Sequence, residues 1–161
     1  MNDTLALSSP SSTALGARPV RLLIVDDHPV VRSGLVGMLD SAVDIDVVGQ
    51  AVDGAAAVEL AGELAPDVVL MDLRMPGMDG VEATRRILAV SDPPRVVVLT
   101  TYDTDGDILP AVEAGAIGYL LKDSPREDIL AAVRAAAVGR GVLSPAVTSR
   151  LVEAARGAGG G

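Results

Sequence analysis

The chain contains no cysteine, phenylalanine or tryptophan, and only one histidine, one lysine and two tyrosines. Each scarcity excludes something. Without cysteine there is no disulfide, zinc–thiolate centre, iron–sulfur cluster or thiol nucleophile. Tyr102 and Tyr119 cannot by themselves build a base-stacking platform for nucleic acid. No apolar run approaches the roughly 18 residues of a membrane-spanning helix, so no membrane partner is expected. Basic charge is short too. Thirteen Lys and Arg against 22 Asp and Glu leave a net charge of −9, the wrong sign for displacing counterions from DNA or RNA.

What is present is one domain's worth of apolar sequence. Of 161 residues, 49% are hydrophobic, so the core must be built from Val, Leu, Ile, Ala and Met. Residues 1–19 are rich in Ser, Thr, Ala and Pro without periodicity and read as a disordered leader; they lack the basic start and apolar stretch of a signal peptide. Residues 156–161 read as a flexible end. Between them, apolar runs at Leu22–Val25, Ile45–Val48, Val68–Met71, Val96–Leu99 and Ile117–Leu121 alternate with segments of helical period. The runs are continuous, as in strands buried on both faces. Val31, Leu35, Met38 and Leu39 form one helical face, and Ile129, Ala132, Val133 and Ala136 another. Strand–helix alternation over about 100 residues predicts an α/β, doubly wound parallel sheet covered on both sides. Asp53-Gly54 and Asp79-Gly80 mark helix starts, and Ala114-Gly115 marks a helix end. Pro110 is tolerated only near a helix start, so the fourth helix is expected to begin near Asp107. Ser144-Pro145 opens a short sixth helix running to about Ala155.

Four of the five runs end in polar residues: Asp26-Asp27, Asp72, Thr100-Thr101 and Lys122-Asp123. The carboxyl ends of the strands line the ligand crevice of an open parallel sheet, so these residues converge. Three carboxylates together repel unless a cation joins them. With oxygen ligands alone, and no convergent histidine, the hard cation Mg²⁺ is selected. Lys122 and Thr100 add a cradle for phosphoryl oxygens. There is no Walker loop or Gly-x-Gly-x-x-Gly, which disfavours a nucleotide site. The remaining nucleophile is a carboxylate, and Asp72 would become an aspartyl phosphate. Singly, each residue has a plainer reading: Asp26 and Asp27 as a helix cap, Thr100 as a strand-end hydrogen bonder, Tyr119 as core, His28 as a first-turn helix residue. Their joint fall at strand ends argues against coincidence.

The segments Leu22-Leu-Ile-Val-Asp-Asp-His28, Val69-Leu-Met-Asp-Leu-Arg-Met-Pro-Gly-Met-Asp-Gly80, Val98-Leu-Thr-Thr101 and Gly118-Tyr-Leu-Leu-Lys122 resemble the receiver domain of two-component response regulators. The wording Asp26-Asp-His-Pro29 and Tyr119-Leu-Leu-Lys-Asp123 is most similar to the NarL/FixJ (LuxR-type) subfamily. The resemblance covers about residues 20–140 and implies a flavodoxin-like, five-stranded sheet of order 2-1-3-4-5. It implies Asp72 as phosphoacceptor and Asp26, Asp27, Asp72 and the carbonyl of Arg74 as ligands for Mg²⁺. Thr100 and Lys122 would act on the phosphoryl group, and Thr100 and Tyr119 would move as a switch. Arg74 and Tyr102 would tune the phosphate lifetime. A family-type Lys-Pro step is replaced by Lys122-Asp123, so no proline-type cis bond is expected there.

The resemblance further implies a cytoplasmic protein phosphorylated by a sensor histidine kinase. A homodimer would form through the first and fifth helices or the fourth-helix face. DNA would be bound only through an effector domain not in this chain, and residues 141–161 would be a linker helix and tail. A stand-alone receiver and a binding-only degenerate receiver are the alternatives. A haloacid-dehalogenase-like phosphatase, and with it an enzymatic role, is disfavoured because Arg74 stands where that chemistry needs a second acid.

Overall fold

Continuous runs of Val, Leu and Ile favour strands that are buried on both faces, and that is how they are used. The computed structural model describes residues 18–101 and 105–143, together with 148, 149, 152, 153 and 156. In chain order the elements are β1 (Val20–Val25), α1 (Pro29–Asp40), β2 (Ile45–Ala51), α2 (Gly54–Leu64), β3 (Val68–Asp72), α3 (Gly80–Leu88), β4 (Arg95–Thr100), α4 (Asp105–Ala114), β5 (Gly118–Leu121), α5 (Arg126–Ala137) and a two-residue β6 (Val142–Leu143). All strand pairs are parallel, in the order β2-β1-β3-β4-β5-β6. The expected five-strand order is therefore present. β6 is an addition on the β5 edge, within the stretch the sequence assigns to a linker.

Successive strand residues point to opposite faces, which divides the interior in two. Leu22, Ile24, Leu70, Leu99 and Leu120 pack with Leu35, Leu39, Ile129 and Val133 of α1 and α5. Leu23, Val25, Met71, Val98 and Tyr119 pack with Ala57, Ile87, Ile108 and Ala111 of α2, α3 and α4. Each fully buried Leu or Ile contributes about 1.5–3 kcal/mol.

Two of the predicted helix starts have the capping geometry that their sequence signals. Asp53 accepts a hydrogen bond from the Ala56 amide at 2.8 Å, and Asp79 from the Glu82 amide at 2.9 Å. At the other end of α2, Arg21 Nη1 donates to the carbonyls of Leu64 and Ala65 at 2.6 and 2.8 Å. It thereby covers orphan acceptors where the helix dipole is negative.

The fourth helix departs from expectation. It begins at Asp105, not near Asp107, and holds Pro110 inside. Pro110 has no N–H for the carbonyl of Gly106 one turn back. Ile108 and Ala111 are fully buried on either side of it, and that burial outweighs one missing bond. Most of the expected sixth helix lies outside the described residues, although Thr148, Ser149, Val152, Glu153 and Arg156 are helical. No described helix is long and apolar enough to cross a membrane. No cis peptide bond occurs among the described residues.

Candidate functional site

The strand register explains why four distant segments meet. Val25 is level with Met71, Asp72 with Leu99, and Thr100 with Leu121. Asp26, Asp72, Thr100 and Lys122 therefore emerge side by side at the carboxyl edge of β1, β3, β4 and β5. Lys122 is tied to β4 by its own amide, which donates to the Thr100 carbonyl at 2.8 Å.

The Lys122 ammonium sits between two buried carboxylates, 3.0 Å from Asp72 Oδ2 and 3.1 Å from Asp26 Oδ2. These are ion-pair distances. Neither oxygen accepts a well-directed hydrogen bond, and neither does the buried Asp27 Oδ1. Burial pushes the Asp72 carboxyl above the ordinary carboxylate range; Lys122 opposes this, Asp26 adds to it, and the Arg74 amide donates to the carboxylate and opposes it. Burial also disfavours the Lys122 ammonium, but Asp72 and Asp26 outweigh that and hold it above its usual value. Asp26, Asp27, His28 and Asp72 each offer a ligand atom, all within 4.8 Å of one another. Buried carboxylate oxygens without directed donors are what a hard divalent cation satisfies, so the residues fit Mg²⁺.

Two glycines keep the neighbouring loop close. The Gly80 amide donates to the Leu73 carbonyl at 2.8 Å. A Cβ on Gly54 would stand 2.4 Å from the Met78 carbonyl oxygen. The 73–79 loop is thereby held between the starts of α2 and α3.

Of the remaining predicted positions, Thr100 is fully buried, and its hydroxyl donates to the Leu120 carbonyl at a long 3.4 Å. It is turned toward β5. Tyr119 is already inside, 5% exposed, with its hydroxyl donating to the Ala116 carbonyl. Burial raises its phenol to about 12. The Arg74 side chain is exposed. Tyr102 lies outside the described residues.

One expectation is corrected. The acid cluster does have a convergent histidine: His28 Nδ1 lies 3.1 Å from Asp27 Oδ1 and 3.5 Å from Asp26 Oδ1. His28 occupies the N-cap of α1, where its side chain makes no capping bond, and its amide donates to Asp26 Oδ1 at 2.8 Å. Sequence reasoning also missed Arg32. Its Nη1 donates to the Asp26 carbonyl at 2.8 Å and its Nε to Gln50 Oε1 at 3.1 Å, bracing the β1–α1 turn from one helical turn away. An arginine four residues past His28, on the same helix face, was the available signal.

Comparison with known proteins agrees with this geometry. The family model described as the response regulator receiver domain matches residues 22–134. The chain is 45% identical over 140 residues to the transcriptional regulatory protein LiaR of Bacillus subtilis, covering 87% of this chain and 66% of LiaR. It is 43% identical over 138 residues to the nitrate/nitrite response regulator protein NarL of Escherichia coli, covering 86% of this chain and 64% of NarL. The chain thus spans just under two thirds of the length of these relatives. Among solved structures, a LuxR-family two-component response regulator from Aurantimonas sp. superposes with a TM-score of 0.77 at 36% identity, covering 84% of this chain and 96% of that one. With four strand ends supplying the acids, hydroxyl and ammonium at one edge of the sheet, the chain belongs to the response regulator receiver domain family, in its NarL/LuxR-type branch.

Proposed function

We propose that Asp72 is the phosphoacceptor of this receiver and that its phosphorylation drives the output of the whole protein. The observation that carries this is the ammonium of Lys122 held 3.0 Å from Asp72 Oδ2, with Asp26 and Asp27 beside it. A carboxylate oxygen of Asp72 attacks phosphorus in a phosphoryl donor. The P–O bond to the donor breaks, the donor leaves with the electron pair, and an acyl phosphate forms on Asp72. Mg²⁺, held by Asp26, Asp27, Asp72 and the Arg74 carbonyl, would neutralise charge on the phosphoryl oxygens. Lys122 pairs with one phosphoryl oxygen, and Thr100 turns from the Leu120 carbonyl to donate to another. Tyr119, the second member of this switch, is already buried. Arg74 and Tyr102, two residues beyond Asp72 and Thr100 in the chain, tune hydrolysis.

The phosphoryl donor is a sensor histidine kinase in the cytoplasm. Val30, 85% exposed in the first turn of α1, supports docking of an apolar partner beside the site. The receiver proper is assigned to residues 20–140, with 1–19 a leader and 141–161 a linker. In the whole protein, phosphorylation controls homodimerisation through α1 and α5 or the α4 face, and through an effector domain controls DNA binding and transcription. The chain's net charge of −9 supports a DNA reader outside these residues. Arg74 two residues past Asp72 supplies no general acid, which supports a switch and not a turnover phosphatase.

The test is acetyl-phosphate treatment with intact-mass and peptide mass spectrometry. One phosphoryl group on Asp72, dependent on Mg²⁺ and absent in Asp72→Asn, is expected. Modification elsewhere, or none with Mg²⁺ present, overturns the assignment.

A further inference from the structure

We infer that Arg32 is a positioning residue for this receiver: it locks the peptide plane between Asp26 and Asp27 and so sets the aim of two neighbouring carboxylates. The inference rests on the function proposed above and adds to it a residue that touches neither cation nor phosphoryl group.

Asp26 is engaged at every polar atom. Its amide donates to the Ala51 carbonyl at 3.1 Å, its Oδ1 accepts from the His28 amide at 2.8 Å, and its Oδ2 lies 3.1 Å from the Lys122 ammonium. That leaves the carbonyl, to which Arg32 Nη1 donates at 2.8 Å. This bond reaches beyond Asp26, because a peptide group is planar and rigid. The Asp26 carbonyl and the Asp27 amide share one plane, so holding the carbonyl fixes the direction in which the chain enters Asp27.

Arg32 is itself held from two sides. Its amide donates to the His28 carbonyl at 2.9 Å in the first turn of α1, and its Nε donates to Gln50 Oε1 at 3.1 Å. Gln50 lies near the end of β2, level with Ile24 of β1. A guanidinium is a planar fork, so bonds from Nε and Nη1 together orient it as one bond could not. The fork ties β2 to the turn that carries both acids.

A brace and a bare charge have effects of opposite sign. Both side-chain bonds of Arg32 go to neutral oxygens. A guanidinium acting by charge alone would repel a cation at the cluster, and its removal would tighten Mg²⁺ binding. Removal of a brace lets the Asp26–Asp27 plane rotate and weakens binding.

The experiment measures Mg²⁺ dissociation constants by isothermal titration calorimetry for wild type, Arg32→Ala, Arg32→Lys, Gln50→Ala and the Arg32→Ala/Gln50→Ala double variant. Amide exchange at His28 and Leu70 is followed by NMR without metal. Arg32→Ala is expected to weaken Mg²⁺ binding about tenfold. Arg32→Lys keeps the charge but lacks the fork, so it should weaken binding too, as should Gln50→Ala to a smaller extent. The double variant should bind no worse than Arg32→Ala, since Gln50 acts through Arg32. Without metal, exchange at the His28 amide should quicken in Arg32→Ala while Leu70, in the centre of the sheet, stays protected. If Arg32→Ala loosens Leu70 as well, Arg32→Lys and Gln50→Ala decide the case. Unchanged or tighter Mg²⁺ binding in the Arg32 variants, or unchanged exchange at His28, overturns the inference and leaves phosphorylation of Asp72 standing. A wild type that binds no Mg²⁺ and takes no label on Asp72 overturns both.

Discussion

Gly80 stands so close to Asp72 that a Cβ on it would lie 2.2 Å from the Asp72 carbonyl oxygen. The start of α3 is therefore seated directly on the backbone of the proposed phosphoacceptor. Gly80→Ala forces that backbone to shift, at a cost of about 1–3 kcal/mol, and the rate of acetyl-phosphate labelling falls with it. Gly62→Ala is the control: nothing lies within 4 Å of the position its Cβ would take, and α2 gains up to about 1 kcal/mol from the better helix former. Urea titration of both variants checks the contrast; equal midpoints would contradict the close approach.

Lys122 offsets the charges of Asp26 and Asp72. Lys122→Met leaves these carboxylates buried without a cation and is expected to cost about 3 kcal/mol in chelator. Mg²⁺ should restore part of that loss. The double variant Lys122→Met with Asp72→Asn should be more stable than Lys122→Met alone, because one of the two stranded charges is gone. Denaturant melts with and without Mg²⁺ give all the numbers needed.

Tyr119 should titrate far from an ordinary phenol. Its pKa is raised from 10.0 to about 12 by burial, so the folded chain holds this proton more tightly than the unfolded one. Stability from this group is intact below pH 10 and is lost as pH climbs from about 10 toward 12. Ultraviolet titration at constant fold, compared with Tyr119→Phe, isolates the transition. The Phe variant also leaves the buried Ala116 carbonyl without the Tyr119 hydroxyl, at a cost of about 1 kcal/mol.

Asp67 should work in the opposite direction, on the acid side. Burial raises its carboxyl, but the Arg18 guanidinium and the Arg21 amide outweigh that and hold it below the ordinary range. A carboxylate depressed in the folded state contributes stability above its unfolded pKa and loses it as pH falls through the folded one. The wild type should therefore lose stability more steeply below about pH 4 than Asp67→Asn. The effect is small, since the Arg18 partner is exposed and solvent screens the pair. Urea midpoints across the acid range read it.

The strand–helix alternation, the five-strand order and the gathering of Asp26, Asp72, Thr100 and Lys122 were legible because continuous apolar runs and the polar residues at their carboxyl ends are local signals. Asp53 and Asp79 were legible as helix starts for the same reason: a cap acts on amides two or three residues away. Pro110 misled, because its cost is local while the burial of Ile108 and Ala111 that overrides it depends on the opposite wall of the core. His28 reads from the sequence as a first-turn helix residue, and its convergence on Asp27 depends on a side-chain direction that no residue pattern encodes. β6 was invisible because two residues carry no period, and only the β5 edge gives them a partner.

Tyr119 and Leu120 are chain neighbours that belong to separate interiors, the first beneath α4 and the second beneath α5. The sheet between them works as insulation. Reshaping the pocket around Tyr119 alters what α4 presents to the outside, while the packing that seats α1 and α5 stays as it was. The two interiors can thus be repacked one at a time, by choosing odd or even positions along the same strand.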